Sequence, residues 1–231
     1  MRVIICNCIL FLTFFLAGTA IARGAAVVLD PGHSPASPGA VSCSGQKEYL
    51  YNYALASHIH NYLLKNHHES SLSKGPDQNL SLTARTRNTA GKDLFISLHH
   101  DSVQPQFIDK NAPYPLSEKA RGYSIFISRK NPYYAESLGY ARKIASALYR
   151  AGLRPSTHHG EKIRGENRKL VDPRLGIYEY DDLVVLKSAK SPAVLVEAGV
   201  IVNPADEKLV RTTRFKDVLA QAVAGAIKCI L

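Results

Sequence analysis

Three apolar runs in the sequence end in residues that can bind a metal ion or carry a proton. His33, His99 and Glu197 each stand at the end of such a run. Zinc in hydrolases is held by three protein ligands drawn from His, Glu and Asp, and the fourth position is left to water. A carboxylate that does not bind the metal can take a proton from that water. The residue types therefore point to metal-assisted hydrolysis.

The elements that must position these residues are neighbouring strands. A short apolar run closed by a turn signal is typical of a strand buried on both faces of a parallel sheet. The carboxyl ends of such strands meet at one edge, where the functional crevice lies. Glu48 opens a helical pattern soon after His33, although the helix dipole alone also favours a carboxylate there. His33, Glu48 and His99 then supply three metal ligands, and Glu197 supplies the proton carrier.

Cys43 is a second candidate ligand, because it lies between His33 and Glu48 and a thiolate binds zinc well. It can also pair with Cys229, since an exported compartment permits disulfides. Two free thiols are equally compatible with the sequence, which does not give the separation of the two Cα atoms.

His100 and Asp101, which follow His99, add detail to the predicted site. His100 points to the opposite face if the strand continues, so we expect at most one of the two histidines to bind the metal. Asp101 can orient a ligating imidazole from outside the ligand shell, or it can cap the following loop.

The N-terminus has the pattern of a secretory signal peptide. A basic Met1-Arg2 precedes an apolar run over residues 3–16 and the small-x-small sequence Ala20-Ile21-Ala22. We expect residues 1–22 to be removed and residues 23–231 to form a single catalytic domain. No later segment has the length and apolarity of a membrane span, so stable membrane insertion is not expected after cleavage.

The charge balance favours an acidic partner. The formal net charge is +10 and the pI is about 9.5, which suits binding to an acidic polymer or surface. The sequence has no helix-turn-helix, RRM or zinc-finger pattern, and export argues against nucleic acid. The cell envelope is the expected setting, with the periplasm favoured over release to the medium.

Strand and helix patterns alternate along the chain. This alternation predicts a three-layer α/β/α domain with a twisted, largely parallel sheet of about six strands. Besides the three site strands, the patterns predict strands at residues 123–127 and 183–186, a weak edge strand at 71–73, and helices at 47–63, 132–149 and 214–227, with a further helix beginning at residue 80.

Residues 154–182 do not fit a simple pattern, because they mix Gly, Pro and many charges. A connection this long is usually functional or mobile. One hypothesis is that its carboxylates lie over the metal site and restrain activity. The alternative is an ordered surface loop that shapes the substrate groove.

Taken in order, these motifs resemble the zinc-dependent N-acetylmuramoyl-L-alanine amidase family. The resemblance rests on the Asp-Pro-Gly-His sequence ending at His33, on Pro38-Gly39-Ala40 and Glu48, and on residues 94–101, 192–199 and 203–204. It spans the chain from Val27 to the C-terminal helix. One departure is the polar segment 70–76, where the family usually has an apolar strand.

The resemblance implies one Zn²⁺ per chain, bound by His33, Glu48 and His99, with Glu197 catalytic. It implies hydrolysis of the amide between N-acetylmuramic acid and the first L-alanine of the peptidoglycan stem peptide. We expect a monomer whose partners are peptidoglycan and an activator protein. Two alternatives are another envelope zinc peptidase or deacetylase, and a non-catalytic peptidoglycan-binding protein.

Overall fold

The structure, a computed structural model, describes residues 24–228. Its strands are β1 (Ala26–Pro31), β2 (Glu69–Leu72), β3 (Leu94–Asp101), β4 (Ser124–Ile127), β5 (Lys169–Asp172), β6 (Ile177–Glu179) and β7 (Ala193–Val200). Its helices are α1 (Glu48–Lys65), α2 (Leu82–Arg85), α3 (Tyr134–Arg150), α4 (Val184–Ser188), α5 (Pro204–Val210) and α6 (Thr213–Lys228), with short 3₁₀ turns at Pro105–Phe107 and His158–Gly160.

All seven strands form one sheet in the order β2-β1-β3-β7-β4-β6-β5. β2, β1, β3 and β7 run parallel to one another, so their carboxyl ends share one edge. β4 is antiparallel to β7, and β5 is antiparallel to β6. The strands that end at His99 and Glu197 are therefore neighbours at the centre of the sheet.

Helices cover both faces of the sheet, because alternate strand residues point to opposite sides. Val27 and Leu29 of β1 pack in the larger core cluster with α1, α3 and α6. Val28 lies in the smaller cluster on the other face, together with Val185 and Leu186 of α4. The predicted three-layer α/β/α architecture is confirmed, and the sheet has one strand more than expected.

Two elements differ from the sequence prediction. Residues 183–186 were expected to form a strand, but they begin helix α4. A four-residue apolar run is too short for periodicity to separate a strand from a buried helical turn. The sequence predicts no regular structure for residues 154–182. They nevertheless contain β5 and β6, which extend the sheet beyond β4. The polar edge strand was correctly expected and is β2.

A buried ion pair fixes the end of β1, just before the site. Asp30 is fully buried and accepts hydrogen bonds from Arg85 Nε at 2.7 Å and Nη2 at 2.5 Å. The hydroxyls of Ser73 and Ser97 donate to the same carboxylate at 2.6 and 2.7 Å. These four contacts tie α2, the end of β2 and β3 to the Asp-Pro-Gly turn.

The chain enters and leaves on the side of the sheet away from the carboxyl ends. Ala26 begins β1 and is in register with Glu69, the first residue of β2. His68 stands at this same edge, and burial together with the nearby charge of Lys228 lowers its pKa.

Within residues 24–228, no helix combines the length and apolarity needed to cross a membrane. The expected signal peptide and Cys229 lie outside the described residues.

Candidate metal centre

The Asp-Pro-Gly turn carries His33 beyond the end of β1. The Gly32 N–H donates to the Leu98 carbonyl at 2.8 Å, which continues the pairing of β1 with β3 by one residue. His33 then adopts a left-handed conformation, with φ of 59°. A Cβ on Gly32 would lie 2.4 Å from the His99 ring. The missing side chain at Gly32 therefore lets the two imidazoles come together.

Glu48 lies between the two imidazoles. Its Oε2 is 3.2 Å from His33 Nε2, and its Oε1 is 3.2 Å from His99 Nδ1. The Ala40 N–H donates to Oε2 at 2.9 Å, and Asn52 Nδ2 donates to Oε1 at 3.0 Å. The two rings meet edge to face with centroids 4.9 Å apart. The structure thus brings the three predicted ligands into one group.

This group fits a tetrahedral metal ion. Two ligands of one zinc ion, each about 2.0 Å from the metal, lie about 3.3 Å apart. The 3.2 Å contacts of Glu48 with His33 and His99 match that separation. Two imidazole nitrogens and a carboxylate are also a donor set typical of a hydrolytic zinc site.

The protonation of the group favours metal binding. Burial would raise the pKa of Glu48, but the hydrogen bond and charge of His99, with His33 and Asn52, lower it to about 2. Burial lowers the pKa of His33, which favours the neutral imidazole with a free lone pair. Glu48 is then ionised and His33 neutral at neutral pH.

The sequence analysis missed the residues that hold Glu48 in place. Asn52 is buried one helical turn after Glu48 on α1, and its Oδ1 pairs with His100 Nδ1 at 2.8 Å. The backbone N–H of His100 also donates to Glu48 Oε1 at 3.3 Å. As predicted, only one histidine of the pair at residues 99 and 100 faces the ligand group. The four-residue spacing of Glu48 and Asn52 was the signal available in the sequence.

Gly39 lines the same site from the loop before α1. It has a φ of 72°, and a Cβ there would lie 2.2 Å from Glu48 Oε2 and 2.7 Å from the His33 ring. Only a glycine combines this backbone conformation with room for both ligands.

Glu197 lies on β7 directly beside His99, its register partner on β3. Its side chain is half-buried, and Oε2 is buried without a hydrogen-bond partner among the described residues. Burial, followed by the negative charges of Asp101 and Glu48, raises its pKa well above the ordinary value. A carboxyl group of this kind can accept and release a proton during hydrolysis.

Glu197 also lines a cavity of about 240 Å³. The end of β3 and residues within 159–168 also line the cavity. Asp101, His159, Glu166 and Arg168 give its wall charged groups of both signs. A polar substrate can therefore reach Glu197 through this cavity.

Asp101 does not orient His99, which was one of its two expected roles. Its Oδ2 lies 2.7 Å from His159 Nε2 and 3.3 Å from His158 Nε2. Burial opposes a charge on His159, but Asp101 and Glu166 raise its pKa to about 10. The same contacts lower the pKa of Asp101. The contacts of Asp101 join the end of β3 to the 3₁₀ turn at His158–Gly160.

The carboxylates of residues 154–182 are mostly held away from the ligand group. Glu166 lines the cavity and pairs with His159 at 2.9 Å. The remaining acidic groups have other partners: Glu161 with Lys119, Asp172 with the Leu175 N–H, Glu179 with Arg129 and Lys169, Asp181 with the Arg129 N–H, and Asp182 with Lys130. These contacts favour the alternative in which this segment shapes the groove.

Cys43 is not part of the ligand group. Its thiol donates to Glu207 Oε2 at 2.7 Å, and burial together with this hydrogen bond raises the pKa of Cys43 to about 12. A protonated thiol is a poor metal ligand. Glu48, and not Cys43, therefore completes the ligand group with His33 and His99.

The fold and the ligand group define a class: α/β proteins with a His-Glu-His group and a further glutamate at the carboxyl edge of the sheet. The sequence model of the N-acetylmuramoyl-L-alanine amidase family matches residues 27–229. The chain belongs to this family.

Relatives of known name agree with this assignment. N-acetylmuramoyl-L-alanine amidase AmiC of Neisseria meningitidis serogroup B is 26% identical over 218 residues, which cover 89% of this chain and 52% of the relative. AmiA of Escherichia coli K12 is 27% identical over 226 residues, which cover 87% of this chain and 74% of the relative. The chain thus spans about half to three quarters of the length of these relatives.

Solved structures share the fold. The amidase Ami1 of Mycobacterium smegmatis superposes with a TM-score of 0.69 at 21% identity, over 90% of this chain and 96% of that structure. An N-acetylmuramoyl-L-alanine amidase of Clostridium difficile 630 gives a TM-score of 0.68, also at 21% identity, over 90% and 97% of the two chains.

Proposed function

We propose that this chain is a zinc-dependent N-acetylmuramoyl-L-alanine amidase. It hydrolyses the amide bond between the lactyl group of N-acetylmuramic acid and the L-alanine of the peptidoglycan stem peptide. The observation that carries this proposal is the group of His33, Glu48 and His99 beside Glu197, whose Oε2 is buried without a hydrogen-bond partner among the described residues. The family of the chain and the names of its relatives support the choice of substrate.

The residues of the chain divide the chemistry between them. Zinc, when bound by His33, Glu48 and His99, supplies a Lewis acid that acidifies water and polarises the scissile carbonyl. Asn52 and the Ala40 N–H fix the Glu48 carboxylate. Glu197 accepts the proton of the attacking water and returns it to the departing amine of L-alanine.

The proposal includes the location and assembly of the protein. Residues 1–22 act as a signal peptide, and residues 23–231 act in the periplasm as a single domain. The proposal includes a monomer, since His33, Glu48, His99 and Glu197 form the site within one chain. One solved structure of the same fold is the CwlD amidase of Clostridioides difficile in complex with the GerS lipoprotein, and we include an activator protein among the partners. N-terminal sequencing of the exported protein should give a chain beginning at Arg23.

Hydrolysis of purified peptidoglycan tests the proposed activity. Released fragments are read by mass spectrometry with zinc, with a chelator, and with the variant Glu197→Gln. We expect new L-alanine amino termini only with zinc, and a rate lower by about 10²–10⁴-fold in Glu197→Gln, because the variant cannot carry the proton. Its zinc content should be unchanged.

Glu136→Gln is the matched control, since Glu136 is exposed on α3, outside the site. It should hydrolyse at the rate of the unmodified protein. New termini other than L-alanine would favour a different envelope peptidase or deacetylase. Zinc binding without any hydrolysis would favour a peptidoglycan-binding protein.

A further inference from the structure

A second group of ligand-type side chains lies at the wall of the cavity, which two of its members, Asp101 and His159, line. Asp101 ends β3, and His158 and His159 begin the 3₁₀ turn that faces it. Their Nε2 atoms lie 3.3 and 2.7 Å from the same oxygen, Oδ2 of Asp101. The three ligand atoms all lie within 4.8 Å of one another. None of these residues belongs to the group around Glu48.

Each imidazole of this second group has a polar partner on its other nitrogen. Nδ1 of His159 is 2.9 Å from Glu166 Oε2, and since an ionised carboxylate can only accept, the Nδ1–H donates. Nδ1 of His158 is 2.8 Å from Ser156 Oγ. Metal-binding histidines typically have such a partner, which fixes the ring and directs the other nitrogen toward the ion.

Protonation of His159 does not give every polar atom of this group a hydrogen-bond partner. A proton on His159 Nε2 can bond to Asp101, which accounts for the 2.7 Å contact. His158 Nε2, on a side chain that is 6% exposed, approaches Asp101 at 3.3 Å but makes no hydrogen bond with any described residue. A buried polar atom without a partner is destabilising. A cation among the three atoms gives both nitrogens and the carboxylate oxygen a partner.

We propose that Asp101, His158 and His159 bind a second divalent transition-metal ion, separate from the ion of His33, Glu48 and His99. The 3.3 Å contact between Asp101 and His158 matches the separation of about 3.3 Å expected for ligands of one tetrahedral zinc ion. The 2.7 Å contact of His159 is a hydrogen bond in the metal-free protein, and it lengthens when the ion replaces the Nε2 proton. Two imidazoles with one carboxylate suit zinc and its first-row neighbours, whereas calcium and magnesium prefer oxygen ligands. The second ion holds the 3₁₀ turn against the end of β3 and so fixes part of the cavity wall.

Counting metal ions tests this inference without reference to activity. The purified protein is saturated with Zn²⁺, freed of unbound metal by gel filtration, and its zinc content is measured by mass spectrometry. We expect two ions per chain, one ion in His33→Ala, one in His158→Gln and none in the double variant. His58→Ala is the control, because His58 of α1 pairs with Asp217 of α6 and belongs to neither group. It should keep two ions.

Thermal unfolding provides a second measurement. Added Zn²⁺ should raise the unfolding midpoint of His33→Ala, whose remaining site is the second group. This shift should be absent in the double variant, with circular dichroism confirming that both variants fold.

The metal counts separate this inference from the proposed amidase. One ion per chain that His33→Ala removes and His158→Gln retains would refute the second site and leave the amidase centre intact. One ion that His158→Gln removes and His33→Ala retains would establish the second site and refute the first. A protein that retains no zinc would refute both.

Discussion

At the scale of single residues, the candidate site depends on how firmly Glu48 is held. Two imidazole rings and three hydrogen-bond donors meet its two carboxylate oxygens. Asn52 is the most connected of the supporting residues, because its amide donates to Glu48 and Gly32 and accepts from His100. Affinity for the metal should therefore depend on a residue that never touches the metal.

We predict that Asn52→Ala lowers zinc affinity by about 10–100-fold, the usual effect of removing a partner of a metal ligand. Competition with a chromophoric chelator measures the affinity. Asn66→Ala is the matched control, because Asn66 lies at the end of the same helix and its side chain donates only to the Tyr62 carbonyl in the described hydrogen bonds. Equal affinities in the two variants would show that Asn52 has no role in positioning Glu48.

Gly39 gives a second prediction at this scale. We expect Gly39→Ala to abolish zinc binding at the first site, since the added methyl group collides with Glu48 and His33. Gly91→Ala is the control, because Gly91 has nearly the same φ, 71°, with nothing within 4 Å of the added Cβ. It should cost about 1–2 kcal/mol of stability from backbone strain and bind zinc normally. Zinc loss in both variants would contradict a local collision.

Three of the four candidate site residues could be predicted because each stands at a recognisable place in the sequence. His33, His99 and Glu197 end apolar runs, and strand direction alone places such ends at one edge. The second group has no such signal. His158 and His159 lie in a segment without periodicity, and their contact with Asp101 depends on how residues 154–168 fold back over the sheet.

At the scale of elements, Asp30 connects four parts of the fold just before the site. We predict that Asp30→Asn lowers the free energy of unfolding by about 3–5 kcal/mol, because it leaves the buried Arg85 without its ionic partner. Urea denaturation measures the change. Asp217→Asn is the control: Asp217 is 45% exposed in its pair with His58, and its loss should cost at most about 1 kcal/mol. Similar costs in both variants would show that Asp30 contributes no more than a surface pair.

Elements could be predicted where the pattern was long or strongly buried. Helices α1, α3 and α6 and the buried strands β1, β3, β4 and β7 carry clear periodicity or continuous apolar runs. α4 could not be recognised, because its buried Val185 and Leu186 look the same as a strand in so short a run. β5 and β6 are only four and three residues long, too short for a period to be recognised, although Ile177 and Tyr178 of β6 are fully buried.

At the scale of the whole molecule, stability should fall in acid as Glu179 is protonated. Burial opposes its charge, but hydrogen bonds from Arg129, Tyr134 and Lys169 lower its pKa to about 2. A lowered folded-state pKa adds stability that is present above the unfolded value of about 4.5 and is lost as the pH falls toward 2. Glu179 thus stabilises the junction of β6, β5 and α3 throughout the neutral range.

We predict that Glu179→Gln is less stable than the unmodified protein at pH 7, by about 1 kcal/mol because Arg129 and Lys169 are exposed. The difference should shrink below pH 4.5 and vanish near pH 2. Unfolding midpoints from pH 2 to 7 measure this. Asp182→Asn, which removes a 78% exposed carboxylate, should show almost no difference at any pH. A Glu179→Gln difference that stays constant with pH would contradict the ionic role.

The entry and exit of the chain on the side of the sheet opposite the site set how the protein can be attached to something else. β1 spans about 20 Å from Ala26 to the turn before His33, and Lys228 lies near His68 on the Ala26 side. A resin, an affinity tag or a fused carrier joined directly before Gly24 or after Lys228 is therefore separated from the cleft by the depth of the domain. Protein immobilised through its ends should still present its open face to an insoluble polymer.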